Sequence, residues 1–280
     1  MKNLALLTLI SAALASCNQM RLPAPPAGQL AYGLGSDGTL VTFGLGNPDA
    51  SSVTQGISGL GGDTLVDLDV RNTDGRLYGV AASGRVFMIN PVTGAATADS
   101  TVTGATVVAA DFNPVANRLR VAGTNDLNFR HTLMAAPTPA TTGTTADGTF
   151  VYAPGDPNAG RNPGVVAAAY TNSFDNSGTG AIAAGTTTTL YTIDADLDIL
   201  VMNTVGPQFN TLNTVGALGV NVMADMTGFD IAGAGSAYLS RVSGNDTDLY
   251  TVDLATGKAT MTARLSGMKL RSVALKLAAQ

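Results

Sequence analysis

The sequence predicts an all-β protein, a β-propeller of most simply five blades, closed by pairing of its C-terminal strand with its N-terminal strands. Three observations predict it. The composition is one of strands and tight turns: all 20 acidic residues are Asp, there is no Glu, and only four residues are Lys. Glu and Lys populate solvated helix faces, whereas Asp favours turns and caps. Next, one short apolar phrase recurs along the chain at intervals of about 40–60 residues, the length of a propeller blade. Finally, the last copy of that phrase has no strands after it, and the first strands have no copy before them. Pairing the two ends completes a sheet and removes the exposed edges.

In chain order, the first segment is a targeting sequence. Lys2 precedes an apolar run from Leu4 to Leu14, too short to span a bilayer and of the kind found in a signal peptide. It ends in Leu14-Ala15-Ser16-Cys17, which resembles the lipobox of bacterial lipoproteins. That resemblance implies a signal peptide at 1–16, cleavage before Cys17, and lipidation of the Cys17 thiol. Asn18 follows in place of Asp, which by the same resemblance favours the outer membrane or cell surface over the inner membrane. Residues 17–28 read as the lipidated cysteine and a tether, because Pro23, Pro25 and Pro26 favour an extended spacer. Residues 29–280 then form a single domain, long enough for a substantial core.

The domain opens on two strands, 29–34 and 39–43. The recurrent inner phrase follows as Leu65–Val70, Val107–Phe112, Val165–Tyr170, Met226–Ile231 and Leu270–Leu277. A companion phrase, as in Leu77-Tyr78-Gly79-Val80 and Leu249-Tyr250-Thr251-Val252, alternates polar and apolar residues. It leads to Asp or Asn and a turn closing on Thr-Gly, where glycine supplies a positive φ. A sixth sheet hidden in 133–164, a β-sandwich and an open solenoid are the alternatives. The tracts 138–148 and 177–189 read as surface excursions, and 152–164 as a long polar connector.

These phrases resemble the bacterial family catalogued as domain of unknown function 4394. The residues that carry the likeness are Leu77–Val80, Asp111–Val121, Ala167–Asn172, Thr214–Val220, Gly228–Ile231 and Leu249–Gly257. The match runs from about residue 30 to the end and departs from the family pattern at Asn128–Thr132. The resemblance implies the propeller and brings no activity with it.

Aligning the five inner strands places Asp69, Asp111, Tyr170, Asp230 and Lys276 at one equivalent position, alternating with apolar neighbours. In a closed ring they would face the channel as candidate ligand-binding residues. Three carboxylates there leave room for a hard cation such as Ca²⁺, although the sequence assigns no cofactor and no metal site. A network of Asp with Lys276 or with backbone amides is the structural alternative. Asp194, Asp196 and Asp198 form D-x-D-x-D without the glycine and distal Glu of an EF-hand, and Asp246 and Asp248 sit in a similar turn. Both read as hairpin turns.

Catalytic side chains are few. His131 is the only histidine, and no G-x-S-x-G elbow accompanies it. One Cys and one His cannot assemble a zinc site of the Cys/His type. The net charge of −5 and pI near 4.7 exclude a basic nucleic-acid surface. The expectation is a membrane-anchored envelope protein that binds or scaffolds a protein or glycan partner without catalysis. A polysaccharide hydrolase using paired Asp is the alternative, favoured if Tyr152, Tyr170, Tyr191 and Tyr238 gather beside two Asp. A structural surface-layer component is the third reading.

Overall fold

Short β-branched and alanine-rich runs bounded by Gly, Asp and Asn turns fold into strands, and the computed structural model shows five sheets of them. It describes residues 22–180, 185, 187–204, 206 and 208–280. The expected signal peptide, residues 1–16, and Cys17 lie outside the described residues. Blade one holds β1 (Leu30–Gly35), β2 (Thr39–Gly44), a single helical turn α1 (Pro48–Ser51) and β3 (Val53–Gly56). Blade two holds β4 (Leu65–Val70), β5 (Leu77–Ala81), β6 (Arg85–Ile89) and β7 (Ala96–Thr101). Blade three holds β8 (Val107–Asn113), β9 (Arg118–Gly123), β10 (Leu127–Thr132) and β11 (Gly143–Thr149).

Blade four adds an outermost strand. It holds β12 (Val151–Tyr152), β13 (Val165–Tyr170), β14 (Leu190–Asp194), β15 (Ile199–Asn203) and β16 (Thr211–Ala217), with β12 parallel to β16 at the rim. Blade five holds β17 (Thr227–Ala232), β18 (Ser236–Ser243), β19 (Asp246–Val252) and β20 (Ala259–Leu265). The remaining strand, β21 (Leu270–Leu275), pairs antiparallel with β1, matching Tyr32 to Ala274 and Leu34 to Ser272. It is therefore the inner strand of blade one, and its pairing closes the ring. The span 133–164 supplies β11 and β12 to existing blades and makes no sixth sheet.

The inner strands β21, β4, β8, β13 and β17 pack side by side around the axis. They all run one way, so the ring has a mouth, where they begin, and a base, where they end. Apolar layers fill the space between blades: Leu119 and Val121 face blade two, while Ala122, Phe150, Val201 and Leu212 fill the seam with blade four. The core is thus divided among blade interfaces, as radial packing requires.

The base is covered. Residues 171–180, expected in part as a surface excursion, cross from the end of β13 toward the other blades. Ser173 and Gly233 exchange backbone hydrogen bonds of 3.0 and 2.6 Å, and the Asn72 side chain donates to the Phe174 carbonyl at 3.0 Å. The Asp175 amide donates to the Ala278 carbonyl at 2.9 Å. One segment thereby ties blades five, two and one together beneath the channel. Residues 22–28 also hold to this end of blade one: Asn47 accepts from the Ala27 amide at 2.8 Å and donates to the Pro25 carbonyl at 3.0 Å. The expected tether, 17–28, is thus docked over its described residues.

Candidate functional site

An inner strand is the edge of its sheet, and its axis-facing N–H groups have no ladder partner. Asp side chains supply one. Asp69 Oδ2 accepts from the Phe112 amide on the next inner strand at 2.6 Å, and its Oδ1 accepts from Val70 at 2.6 Å. Asp111 Oδ2 accepts from the Tyr170 amide at 2.9 Å. Asp230 Oδ2 accepts from Leu275 and its Oδ1 from Ile231, both at 2.6 Å. Each carboxylate straps its own blade to the next.

Asp67 repeats the device one pleat closer to the mouth. It accepts from the Ala110 amide at 2.7 Å, the Leu68 amide at 2.9 Å and the Ser272 hydroxyl. D-x-D at 67 and 69 puts both carboxylates on one face of a strand. That spacing was the signal for Asp67, which the inner-strand alignment passed over.

One carboxylate oxygen from each of Asp69, Asp111 and Asp230 lies within 4.8 Å of the other two, and all three residues are buried. Burial raises the carboxyl pKa of each. Negative neighbours add to the rise: Asp230 acts on Asp69, and Asp69 and Asp230 act on Asp111. Asp230 is pushed up to about 7 and Asp67 to about 6, in both cases mainly by desolvation, against the lowering effect of amide donors and, for Asp67, first of the Ser272 hydroxyl. The cluster can share protons or hold one hard cation. Fit to Ca²⁺ is partial: it takes six to eight oxygens, and Asp69 and Asp230 already spend both oxygens on amides.

Tyr170 and Lys276 do not join the three carboxylates. The Asp111 strap lands on the Tyr170 amide as the Asp69 strap lands on Phe112, so Ala169 occupies the position of Asp69 in blade four. Tyr170 is one residue further, and a one-residue slip turns a side chain to the other face. Its hydroxyl accepts from Arg120 Nε at 3.0 Å, and its ring meets Phe209 edge-on at 5.3 Å. In blade one the equivalent residue is Ala274, paired with Tyr32. Lys276 lies two residues on, beyond the end of β21, and is exposed. Apolar flanks fit either register equally well, because Ala167–Ala169 and Val273–Leu275 carry no distinguishing polar residue.

The other candidates are tied into the scaffold. His131 bridges blades two and three, with Nε2 2.9 Å from Ser100 Oγ and Nδ1 2.9 Å from Thr144 Oγ1, and burial lowers its pKa. Asp194 accepts from the Tyr152 hydroxyl and the Asp196 amide, and Asp198 accepts from the Val222 amide at 2.7 Å. Asp248 pairs with Arg264 at 2.7 Å, and Asp246 accepts from the Gly267 amide at 2.8 Å. The connector 152–164 is fastened to β16 where Asp156 accepts from the Thr214 amide at 2.7 Å. The four tyrosines fall in four separate hydrophobic clusters. At the mouth, a cavity of about 580 Å³ opens between blades three, four and five, lined by Val108, Asp126, Val166, Asp196 and Met223.

The family model described as domain of unknown function (DUF4394) matches residues 39–274. The chain belongs to this family. No curated protein matches it. Among solved structures, a protein of unknown function from Bacteroides thetaiotaomicron superposes with a TM-score of 0.52 at 14% identity, covering 92% of this chain and 68% of that one. A chain from a nidogen–laminin complex gives a TM-score of 0.49 at 10% identity over 90% of this chain and 99% of that one. A Lactobacillus plantarum protein gives 0.43 at 17% identity over 88% and 71%. At such identities the likeness concerns the fold alone.

Proposed function

We propose that this DUF4394 member is a lipid-anchored protein of the cell envelope that works by binding or scaffolding, without turnover. One observation carries the reading: the side chains best suited to chemistry are committed to holding blades together. Asp67, Asp69, Asp111 and Asp230 each accept a backbone amide from a neighbouring inner strand, and His131 bridges two blades. A carboxylate that must hold an amide in place is a poor general base.

The polarity of the ring supports the same reading. The chain enters at the base, where the Gln29 side chain donates to the Lys276 carbonyl at 2.8 Å. An acylated Cys17 would hold the base toward the membrane and turn the mouth, with its 580 Å³ cavity, toward the partner. The partner class is an envelope protein or glycan. Purified protein incubated with envelope polysaccharides and peptides should yield saturable retention and no new products by mass spectrometry. Product formation that disappears in an Asp126→Asn or Asp196→Asn variant would replace this reading with the hydrolase.

A further inference from the structure

The face of blade three that meets blade four carries an excess of positive charge. Arg118 and Arg120 alternate along β9, Arg130 sits opposite Arg120 on β10, and one carboxylate, Asp147, stands among them. Arg120 is satisfied: it pairs with Asp147 at 2.5 Å, donates to Asn128 and Tyr170, and lies 5.4 Å from the Phe209 ring centroid. Arg118 and Arg130 are not. Arg118 is 6% exposed, and its Nη2 donates to the Arg130 and Gly143 carbonyls and to Thr145 Oγ1. Its buried Nε–H has no acceptor among the described residues. Arg130 Nε lies 2.7 Å from Asp147 Oδ2, but its N–H is not aimed at that oxygen and also lacks an acceptor.

Three guanidiniums against one carboxylate leave two positive charges and two buried donors unanswered at one seam. Buried charge is costly unless paired. Arg118 registers the imbalance, its pKa lowered first by desolvation and then by Arg130. The Arg130 side chain is 24% exposed at the outer strands, so an ion would enter past it to reach the two covered Nε atoms.

We propose that this seam binds a phosphate-sized oxyanion between the guanidiniums of Arg118 and Arg130, beside Thr145. Guanidinium forks match tetrahedral and carboxylate oxyanions, and one such ion supplies acceptors for both idle N–H groups while offsetting the excess charge. The ligand is a free phosphate or a phosphate monoester of a larger envelope molecule.

The test is thermal unfolding of the purified protein in sodium phosphate or glycerol 3-phosphate against sodium chloride at equal ionic strength. The wild type should gain roughly 2–4 °C at saturating oxyanion, and Arg118→Gln and Arg130→Gln should each lose that gain. A response to inorganic phosphate alone identifies a free-ion site, whereas a response to both probes identifies one open to an ester. If Arg118→Gln does not fold, the half-buried Arg130→Gln carries the comparison, with ³¹P line broadening of inorganic phosphate as the direct readout. No gain over chloride in the wild type, or an equal gain in wild type and variants, overturns the proposal.

Discussion

Asp111 shows how one residue can be both staple and liability. Its carboxylate holds the Tyr170 amide, yet it is buried beside two like charges. Asp111→Ala orphans a buried N–H and should cost about 1–3 kcal/mol in chemical denaturation. Asp111→Asn keeps an acceptor for the amide while removing the charge, so it should be more stable than wild type near pH 8. Equal losses in both variants would instead show that the charge is needed to hold a cation. The pH dependence has a definite sign. Asp230 and Asp67 titrate near 7 and 6 in the ring, above the ordinary carboxyl value. The folded state therefore retains protons that the unfolded chain has released above about pH 4. Stability from these groups is greatest in acid and is lost as pH rises through about 7. Melting temperature should fall between about pH 5 and pH 8 by an amount reflecting about 1.4 kcal/mol per unit of pKa shift, and Asp111→Asn should flatten that fall.

At the scale of elements, the inner strands depend on close approach as much as on straps. A Cβ on Gly228 of β17 would sit 2.4 Å from the Val273 amide nitrogen of β21. Gly228→Ala should therefore force the two strands apart and cost about 1–3 kcal/mol by denaturant titration, whereas Gly56→Ala, with open space at its Cβ, should be nearly neutral. Existence and number of the inner strands were legible in the sequence because the repeated phrase spells them out. Their register was legible only where Asp marked the axis-facing position, in blades two, three and five. Ala169 and Ala274 carry no such mark, and the displaced Tyr170 and Lys276 followed from that. The Arg118–Arg120–Arg130 seam was hidden for a different reason: R-x-R on β9 was on view, but its charge imbalance depends on which blade packs against it. The cover formed by 171–180 was equally hidden, since the bonds that tie it across the base reach Asn72, Gly233 and Ala278, far away in sequence.

On the scale of the whole molecule, residues 22–28 dock at the base of the ring, the end to which the proposed lipid anchor would hold the membrane. The proposed anchor makes a direct prediction: Cys17→Ala should move the protein from the membrane fraction to the soluble fraction and abolish labelling by radioactive palmitate. Each buried acyl methylene contributes about 0.8 kcal/mol, so the shift should be nearly complete. Persistence of the Cys17→Ala variant in the membrane would remove the lipid anchor from the reading. The folded ring itself should keep its melting profile, because residues 22–28 dock through Asn47 independently of the thiol.

The pairing of β1 with β21 also governs when the molecule can exist. Gln29 and Lys276 meet across a sequence separation of 247 residues, so blade one cannot be finished until nearly the whole polypeptide has been made. Contacts of such long range form slowly, because the entropy of closing the loop is lost before any of them is gained. During synthesis the nascent chain therefore has no stable end state to fall into, and it stays threadable. The proposed export through a narrow pore would use that delay, which is set by the order of the strands.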